Sequence, residues 1–449
     1  MYSSRVKLFL FLIGLGSQTQ IQFVGSIGIS ELLLFLIGPF VFFLDYRQLK
    51  ADGFMPFVWL SILTCVGCLL SGVFNHTHLI LLVKGLASPY SVFVVTVVFH
   101  RLLRKDFSAL KWFILGVFVS SIVSIFVFQQ ATYAVRGGEF LEGSEATNVI
   151  ISNPLFWSSR ITSLVMLPIS MWYVSTPYAY SASMPFVTAL VKILFSQASG
   201  RSAALCSFLA GFYIAIAGKN VQRMRRVGRN FLLVLVGLVV LLMIGKQVYV
   251  YAAKNNYLGE KAQAKYYRQT QGSSSILKII MGGRLEFFTA IRACMDRPII
   301  GFGAKPLDTK GYYEQMLEKY GTPDDYEMYV KLIQDRAKRG ITYHMLPSHS
   351  HLASFWLQYG IIGLIFWLYV LWMFLRFFTR YSHGIPQWYG YCVLVISDFL
   401  WDIFFSPFSG RISIAVLMSC ILFARAVVQG RCQLPWEMQN EIRRKCNGT

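Results

Sequence analysis

Long apolar runs, separated by short polar segments, follow one another along most of the chain. Runs of roughly 17–23 apolar residues can cross the hydrocarbon core of a bilayer as helices. We predict about twelve such spans, over residues 7–24, 29–45, 55–74, 78–100, 111–130, 155–175, 183–195, 203–218, 230–251, 352–376, 387–405 and 412–428. Barrel strands would instead alternate apolar and polar positions. The pattern therefore predicts an all-α polytopic membrane protein, because a helix satisfies its backbone hydrogen bonds within the span.

The composition excludes an ordinary soluble enzyme. The 449 residues are 55% hydrophobic and only 14% charged, whereas a soluble domain carries far more charge. The formal net charge of +21 would suggest nucleic acid as a partner of a soluble protein. Here many of the lysines and arginines lie in short loops between apolar runs, so we expect a lipid bilayer and no nucleic acid as the partner.

The positions of the basic loops predict the orientation of the chain. Short segments rich in lysine and arginine lie at 46–53, 100–111, 218–230 and 376–380 and in the tail. With twelve spans all of them fall on one side, which the positive-inside rule assigns to the cytoplasm together with both termini. No cleavable signal peptide is expected in the first segment.

This topology divides the chain into four parts. Residues 1–250 form an N-terminal bundle of about nine spans, and residues 251–350 form an extracytoplasmic helical cap. Residues 351–430 supply three more spans, and residues 431–449 form a cytoplasmic tail. Within the cap, the segment 284–296 places its apolar side chains along one stripe, as an amphipathic helix does.

Several cations lie at the outer ends of spans, where the positive-inside rule makes them rare. They are Arg201, Arg411 and Lys192, and Arg284 lies in the outer loop. One explanation is an anion held at the membrane surface, since the planar guanidinium fork suits phosphate. The other is that these side chains extend toward lipid headgroups.

Two carboxylates also lie inside a predicted span. Asp398 and Asp402 are four residues apart and share one helix face. Charges within the membrane are costly and usually have a partner. Either they pair with Arg411 or Lys192, or they orient the hydroxyl of an acceptor substrate.

A pair of histidines stands where the outer loop returns to the membrane. His349 and His351 precede a span that contains Gly360 and Gly363. Histidine exchanges protons near neutral pH, and a Gly-x-x-Gly pair allows another helix or a lipid chain to approach closely. The sequence therefore nominates His349 as an acid or base at the outer surface, with His351 as an accessory candidate.

Three segments together resemble the bacterial O-antigen ligase and O-antigen polymerase superfamily. "HSHLASFWLQYGIIG" matches its pattern of His, then Asn, Ser or Gln, then nine residues and Gly-x-x-Gly, with His349, Ser350, Gly360 and Gly363 in place. "GGRLEFFTAIRACMDRPIIGFGAKP" is similar to its Gly-Arg helix followed by a Pro-apolar-apolar-Gly-x-Gly turn. "FSQASGRSAAL" resembles its Ser-x-Arg segment at the start of a span.

The resemblance implies a GT-C-like fold with an outer helical cap, in the inner membrane of a bacterium. It implies a glycan donor on undecaprenyl diphosphate and a hydroxyl acceptor on a lipid-A core or on another lipid-linked glycan. Arg201 and Arg284 then correspond to diphosphate-binding arginines and His349 to the catalytic histidine, facing the periplasm, with Arg411, Lys192, Asp398 and Asp402 as accessory candidates.

Several alternatives remain open from the sequence. Ligases of this family often continue with Thr-x-His after the second glycine, whereas "LIF" follows Gly363 here, so ligase and polymerase both remain open. We expect no cofactor and no metal, because two arginines can replace the cation; the acids Asp325 and Glu327 begin a helix, where they favour its dipole. A transporter or flippase for a lipid-linked glycan is the alternative function.

Overall fold

The computed structural model describes residues 4–17, 20–22, 26–104, 107–126, 164–171, 183–195, 197–217, 221–257, 259–260, 263–264, 266–267, 284–321, 326–327, 329–331, 333–334, 345–385, 388–406 and 411–430. In the first half these residues form α1 (Ser4–Gly16), α2 (Ile29–Ala51), α3 (Met55–Phe74), α4 (Leu79–Leu103) and α5 (Leu110–Phe126). Then follow α6 (Ser183–Phe195), α7 (Gln197–Ala217), α8 (Val221–Arg229) and α9 (Phe231–Lys254). The remainder forms α10 (Leu285–Asp296), α11 (Tyr312–Tyr320), α12 (His351–Tyr359), α13 (Ile361–Arg376), α14 (Tyr389–Phe405) and α15 (Arg411–Val428). Residues 164–171 are also helical.

The predicted helical class agrees with the structure, except for a small hairpin. Strands β1 (Gln20–Gln22) and β2 (Ser26–Gly28) pair antiparallel, with Ile21 opposite Ile27. The predicted first span over 7–24 is therefore wrong at its C-terminal end, because α1 stops at Gly16 and the chain turns into the hairpin. The polar run Gln18, Thr19, Gln20 and Gln22 supplies too little apolar surface to continue a span.

The described residues contain fewer full-length spans than the sequence predicts. Four helices are long and apolar enough to cross a membrane, namely Ile29–Ala51, Met55–Phe74, Leu79–Leu103 and Ile361–Gly384. Shorter apolar helices cover Phe107–Val123, Ser183–Leu194, Ala204–Ala217 and Ile414–Val428. The predicted span at 155–175 and the tail at 431–449 fall wholly or largely outside the described residues. The count of twelve and the GT-C-like arrangement stay predictions.

Helix α4 forms the centre of the bundle. It packs against α2, α3 and α15, and every side chain from 91 to 100 is buried. The outer helices show the opposite pattern, since Phe43 and Leu36 on α2 are 76% and 74% exposed. A soluble monomer rarely exposes apolar patches of this kind, whereas lipid covers them at no cost.

One end of the bundle collects the basic loops. The carboxylate of Asp52, after α2, is fully buried and accepts from Arg104 at 2.6 Å and from His100 at 3.2 Å. Burial by itself would raise the pKa of the Asp52 carboxyl, but the hydrogen bonds from His100 and Arg104 outweigh it and lower this pKa. Next to it, Arg425 of α15 donates to the carbonyl of Gly53 at 3.1 Å. The ion pairs of Asp52 and the hydrogen bond from Arg425 thus tie α2, α4 and α15 together at the end predicted to face the cytoplasm.

The predicted span over 352–376 is not one helix. Gly360, with φ 66° and ψ −152°, separates α12 from α13. The chain turns so tightly that a Cβ on Gly363 would overlap the carbonyl oxygen of Phe355 on the preceding helix. The Gly-x-x-Gly pair therefore closes a helix–turn–helix within the chain, which sequence spacing alone does not distinguish from a contact between two separate helices.

The outer turn after α10 fits into this break. A Cβ on Gly360 would overlap the carbonyl oxygen of Ile299, and the amide of Ile361 donates to that oxygen at 3.0 Å. The amide of Phe302 donates to the carbonyl of Leu357 at 2.7 Å. Gly301, at φ 77°, would place a Cβ 2.7 Å from the amide nitrogen of Gly360. The two glycine motifs of the sequence thus interlock through their backbones.

We predict that Gly360→Ala destabilises the protein. The φ and ψ of Gly360 lie in a region that is nearly exclusive to glycine, which costs about 1–3 kcal/mol for other residues. Overlap of the new methyl group with Ile299 adds to that cost. Thermal unfolding in detergent, followed by tryptophan fluorescence, should show a lower midpoint.

The matched control is Gly245→Ala in α9. A Cβ at Gly245 meets nothing within 4 Å, so this variant should unfold at or above the temperature of the unaltered protein. Equal midpoints for Gly360→Ala and Gly245→Ala would contradict the proposed role of the turn.

Candidate functional site

The C-terminal end of α14 gathers two of the motifs found in the sequence. The last carbonyls of a helix have no partner within it, so other groups must bind them. The carbonyl of Ile403 accepts from the Ser350 hydroxyl at 2.8 Å, and the carbonyl of Phe405 faces Nη1 of Arg284 at 3.5 Å. Residues 284 and 350, far apart in sequence, therefore meet at one helix end.

Ser350 also fixes the start of α12. Its side-chain oxygen accepts from the amide of Ala353 at 3.1 Å, which is the usual geometry of a helix N-cap. The serine is fully buried, and its hydroxyl contacts both α12 and α14. The backbone next to His349 is therefore held in place by hydrogen bonds to both helices.

Arg284 lies against an aromatic surface. It is the N-cap residue of α10, and its guanidinium carbon lies 5.0 Å from the ring centre of Trp401 and 5.4 Å from that of Phe405. Both rings belong to the last turns of α14. Stacking on aromatic faces keeps the plane of a guanidinium fixed and stabilises its charge.

His349 is half exposed beside a carboxylate of α10. Its Nδ1 lies 3.7 Å from Oε1 of Glu286, and the two side chains are 42% and 29% exposed. Glu286 belongs to the same first turn as Arg284. The structure thus places His349 and Arg284 at the same end of the bundle, with an acid beside the imidazole.

The second histidine has a different environment. His351 is 1% exposed, and its ring centre lies 5.2 Å from that of Trp367 and 5.4 Å from that of Phe399. His349 and His351 are separated by one residue, yet the first imidazole is partly exposed and the second is buried. The surroundings of His351 are those of a side chain in the helical core.

Lys192 and Asp398 form an ion pair between α6 and α14. Nζ of Lys192 lies 2.6 Å from Oδ2 of Asp398, and Ser207 of α7 donates to the other carboxylate oxygen at 3.0 Å. Nζ also lies 2.9 Å from the Ser207 hydroxyl. Two roles were suggested for Asp398, pairing with a cation or orienting an acceptor hydroxyl, and the structure contains the pair with Lys192. Asp402, one turn further, lies on the same face of α14 and is partly buried.

The side chains of Arg201 and Arg411 lie outside the described residues, although their backbones are helical. Arg201 lies within α7, which begins at Gln197 rather than at the predicted 203. It precedes Ser207 by six residues, or roughly 9 Å of helix. Phe405 follows Asp398 by seven residues, or roughly 10 Å. Ser207 contacts Asp398, and the ring of Tyr213 lies 6.3 Å from that of Tyr389, so the two helices run in opposite directions. The backbone of Arg201 therefore reaches the level of the end of α14.

These features describe a multi-helix membrane protein with charged side chains gathered at one end of its bundle. A family model described as O-Antigen ligase matches residues 184–368, which is less than half of the chain. This match agrees with the resemblance of the three motifs, all of which lie within residues 184–368, and that region is similar to the O-antigen ligase family. The family indicates a glycosyltransferase-type role in polysaccharide biosynthesis in a bacterial membrane. No curated protein and no solved structure matches the chain.

Glu286 is the site residue that the sequence analysis did not single out. It lies in "GRLEFF", two residues after Arg284, where an acid in the first turn of a helix is an ordinary feature of the helix dipole. Its position next to His349 depends on how α10 packs against α12. Glu327, one of the two acids considered for a metal, pairs with Lys331 at 2.7 Å, and Asp325 lies outside the described residues.

We predict that Lys192 and Asp398 are energetically coupled. Lys192→Met alone leaves a carboxylate in apolar surroundings, and Asp398→Leu alone leaves an ammonium group. Each single change should cost less than the roughly 3–5 kcal/mol of a fully buried pair, because Asp398 is 31% exposed. The double variant should lose less stability than the sum of the two, measured by thermal unfolding in detergent. Additive losses would show that the two charges act independently.

Proposed function

We propose that the protein is a membrane glycosyltransferase of the O-antigen ligase or polymerase type. It transfers a glycan from undecaprenyl diphosphate to a hydroxyl of a lipid-A core or of another lipid-linked glycan. The observation that carries this proposal is that Arg284 and the segment of His349 and Ser350 both lie next to the end of α14. Arg284 and His349 both belong to the region that matches the family. An anion-binding group and a proton acceptor at one place are what glycosyl transfer from a diphosphate requires.

The arginines supply the electrostatic part of this reaction. Negative charge grows on the diphosphate as its bond to the sugar breaks, and Arg284 on its aromatic support is oriented to receive it. Arg201 is the second candidate, since its backbone lies at the same level of the bundle. Charged hydrogen bonds contribute about 1.5–3 kcal/mol each, but only the part that strengthens in the transition state accelerates the reaction. In this proposal the two guanidinium groups replace a metal ion.

Lys192 contributes less to the charge at the site than its formal charge suggests. Its ammonium group already neutralises Asp398. We therefore assign the diphosphate to the arginines and assign Lys192 and Asp398 to the support of α6, α7 and α14. Arg411, the first residue of α15, and Asp402 remain accessory candidates.

His349 acts as the general base in this proposal. The imidazole takes the proton of the acceptor hydroxyl while the hydroxyl oxygen bonds to the anomeric carbon. The bond from that carbon to the diphosphate oxygen breaks, and its electron pair leaves with the diphosphate. A single displacement of this kind inverts the anomeric configuration, and the imidazolium then returns its proton to water. A well-placed base contributes roughly 10²–10⁴-fold to such a reaction.

We place this site on the periplasmic face of a bacterial inner membrane. The basic loops around Asp52, Arg104 and Arg425 lie at the opposite end of the bundle, which the positive-inside rule assigns to the cytoplasm. Both termini then face the cytoplasm. The donor lipid would enter from the bilayer, with its diphosphate at the level of the headgroups.

His349→Ala is predicted to abolish transfer while the protein still inserts and folds. The assay uses purified protein in liposomes with lipid-linked oligosaccharide, with and without lipid-A core, and measures product length. Long lipid-linked products would indicate a polymerase, and glycosylated core a ligase. His78→Ala is the matched control, because His78 is an exposed histidine in the loop before α4 and should leave transfer intact.

Two outcomes of this assay contradict the proposal. One is transfer at the normal rate by His349→Ala. The other is movement of the donor across the bilayer, without consumption, by the unaltered protein, which would favour the flippase.

Arg284→Ala and Arg201→Ala should each leave the donor lipid unconsumed, because the leaving diphosphate loses a charged partner. The decrease in transfer should be at least about tenfold, which corresponds to about 1.4 kcal/mol. Arg292→Ala is the control on α10, since this exposed arginine lies about two helical turns beyond Arg284 and pairs with Asp296 at 3.1 Å. Donor turnover, followed by thin-layer chromatography, would remain normal in Arg284→Ala if the guanidinium did not bind diphosphate.

A further inference from the structure

We propose that Glu286 is a positioning residue for His349. In this proposal, which rests on the proposed function, the Glu286 carboxylate holds Nδ1–H of the imidazole. The other ring nitrogen, Nε2, then carries the lone pair that takes the proton of the acceptor. The juxtaposition that supports it is the 3.7 Å between Oε1 of Glu286 and Nδ1 of His349.

The distance fits a pair that closes when substrate binds. At 3.7 Å the two atoms are within ion-pair range but longer than a hydrogen bond. Hydrogen bonds of catalytic groups are often long before substrate binds and shorten in the complex. Both side chains are partly exposed, so each has room for the movement of less than 1 Å that a hydrogen bond requires.

The two segments that carry these side chains are joined by several contacts beyond the pair itself. Helices α10 and α12 lie side by side and run in the same direction. Glu286, in the first turn of α10, lies beside His349, and Sγ of Cys294, in the last turn of α10, lies 3.9 Å from the carbonyl of Ala353 in the first turn of α12. At their end, the indole of Trp356 donates to the carbonyl of Pro298 at 3.0 Å.

The backbone pairing after α10 completes this register. The amide of Phe302 bonds to the carbonyl of Leu357, and Ile361 bonds to Ile299. A slip of one helix along the other would break these bonds and separate Glu286 from His349. The interlocked glycine turns therefore set the distance between the carboxylate and the imidazole.

Glu286 and Arg284 serve different partners although they are two residues apart. Side chains at that spacing on a helix do not face each other. Arg284 lies over Trp401 and Phe405, while Glu286 lies beside His349. The first turn of α10 thus offers a cation toward α14 and an anion toward the imidazole.

The charges explain why an acid is useful at this position. When His349 takes the proton of the acceptor it becomes an imidazolium, at the same end of the bundle as the Arg284 guanidinium. Two cations without an anion between them would repel and oppose the proton transfer. The Glu286 carboxylate forms a neutral pair with the imidazolium, which favours proton transfer to His349. The Arg284 guanidinium meanwhile remains bound to the diphosphate.

A purely structural role would have a different signature. A partly exposed ion pair of this kind contributes little to the stability of a fold, so its loss should hardly change the unfolding temperature. An orienting role instead changes the rate of the chemical step. It should lower kcat and leave the KM for the donor nearly unchanged, because Glu286 does not contact the diphosphate in this proposal.

The experiment compares Glu286→Gln, Glu286→Ala and Glu286→Asp with the unaltered protein and with His349→Ala, in the liposome transfer assay. We expect Glu286→Ala to lower kcat at least about tenfold, within the roughly 10²–10⁴-fold contribution of a general base. Glu286→Gln, which can accept the hydrogen bond but carries no charge, should lose less, and Glu286→Asp should recover part of the rate. Glu318→Gln is the matched control, since it removes an exposed carboxylate from α11 of the same outer region.

The outcomes separate this proposal from the function on which it rests. If His349→Ala is inactive but Glu286→Ala and Glu286→Gln keep the normal kcat, Glu286 does not position the base and the proposed function stands. A raised donor KM with normal kcat would assign Glu286 to binding and also overturn the proposal. If Glu286→Ala has a lowered unfolding temperature, the test uses the isosteric Glu286→Gln instead. A lowered kcat with an unchanged donor KM in that variant supports the proposal, and any other result contradicts it. Normal transfer by His349→Ala would remove the proposed function itself.

Discussion

The unpaired carbonyls at the end of α14 are the constraint on which the site depends. A helix that ends inside a protein must have its last carbonyls satisfied by other groups. Ile403 accepts from Ser350 and Phe405 faces Arg284, so one helix end binds two segments, around residues 284 and 350, that are 66 residues apart in sequence. The aromatic side chains of the same last turns, Trp401 and Phe405, then support the guanidinium. The end of α14 thus both accepts hydrogen bonds through its last carbonyls and supports the Arg284 guanidinium through its aromatic rings.

The glycines perform the complementary task of bringing backbones close. Gly360 and Gly301 have positive φ angles, which strain other residues, and each lies where a side chain would collide with the opposing backbone. Because these glycines pack against each other, the predicted span over 352–376 is divided into a short helix, a turn and a longer helix. His349 directly precedes the N-cap residue of the short helix α12, and Gly360 follows its last residue. The position of the imidazole therefore depends on a backbone contact about three turns of helix away.

The two ends of the bundle use charge in different ways. At the basic end, Asp52 is fully buried and compensated by His100 and Arg104, which join helices in a fixed arrangement. At the other end, His349 and Glu286 are partly exposed and separated by more than a hydrogen bond. Lys192 and Asp398 lie between these extremes, with a short contact in partly buried surroundings. The buried, compensated charges around Asp52 hold helices together. The partly exposed side chains of His349 and Glu286 remain accessible from outside the protein.

The sequence by itself determined the helical class, most helix positions and the candidate residues of the site. Hydrophobic run length and the motif spacing of His349, Ser350, Arg284 and the glycines are local properties, which is why they can be read without a structure. Only the tertiary structure decided that α12 and α13 are separate, that Lys192 belongs to Asp398 and that Glu286 faces His349. The physical reason is that such pairings depend on which helices pack together and in which register. Packing between segments distant in sequence leaves no periodic signature in either segment.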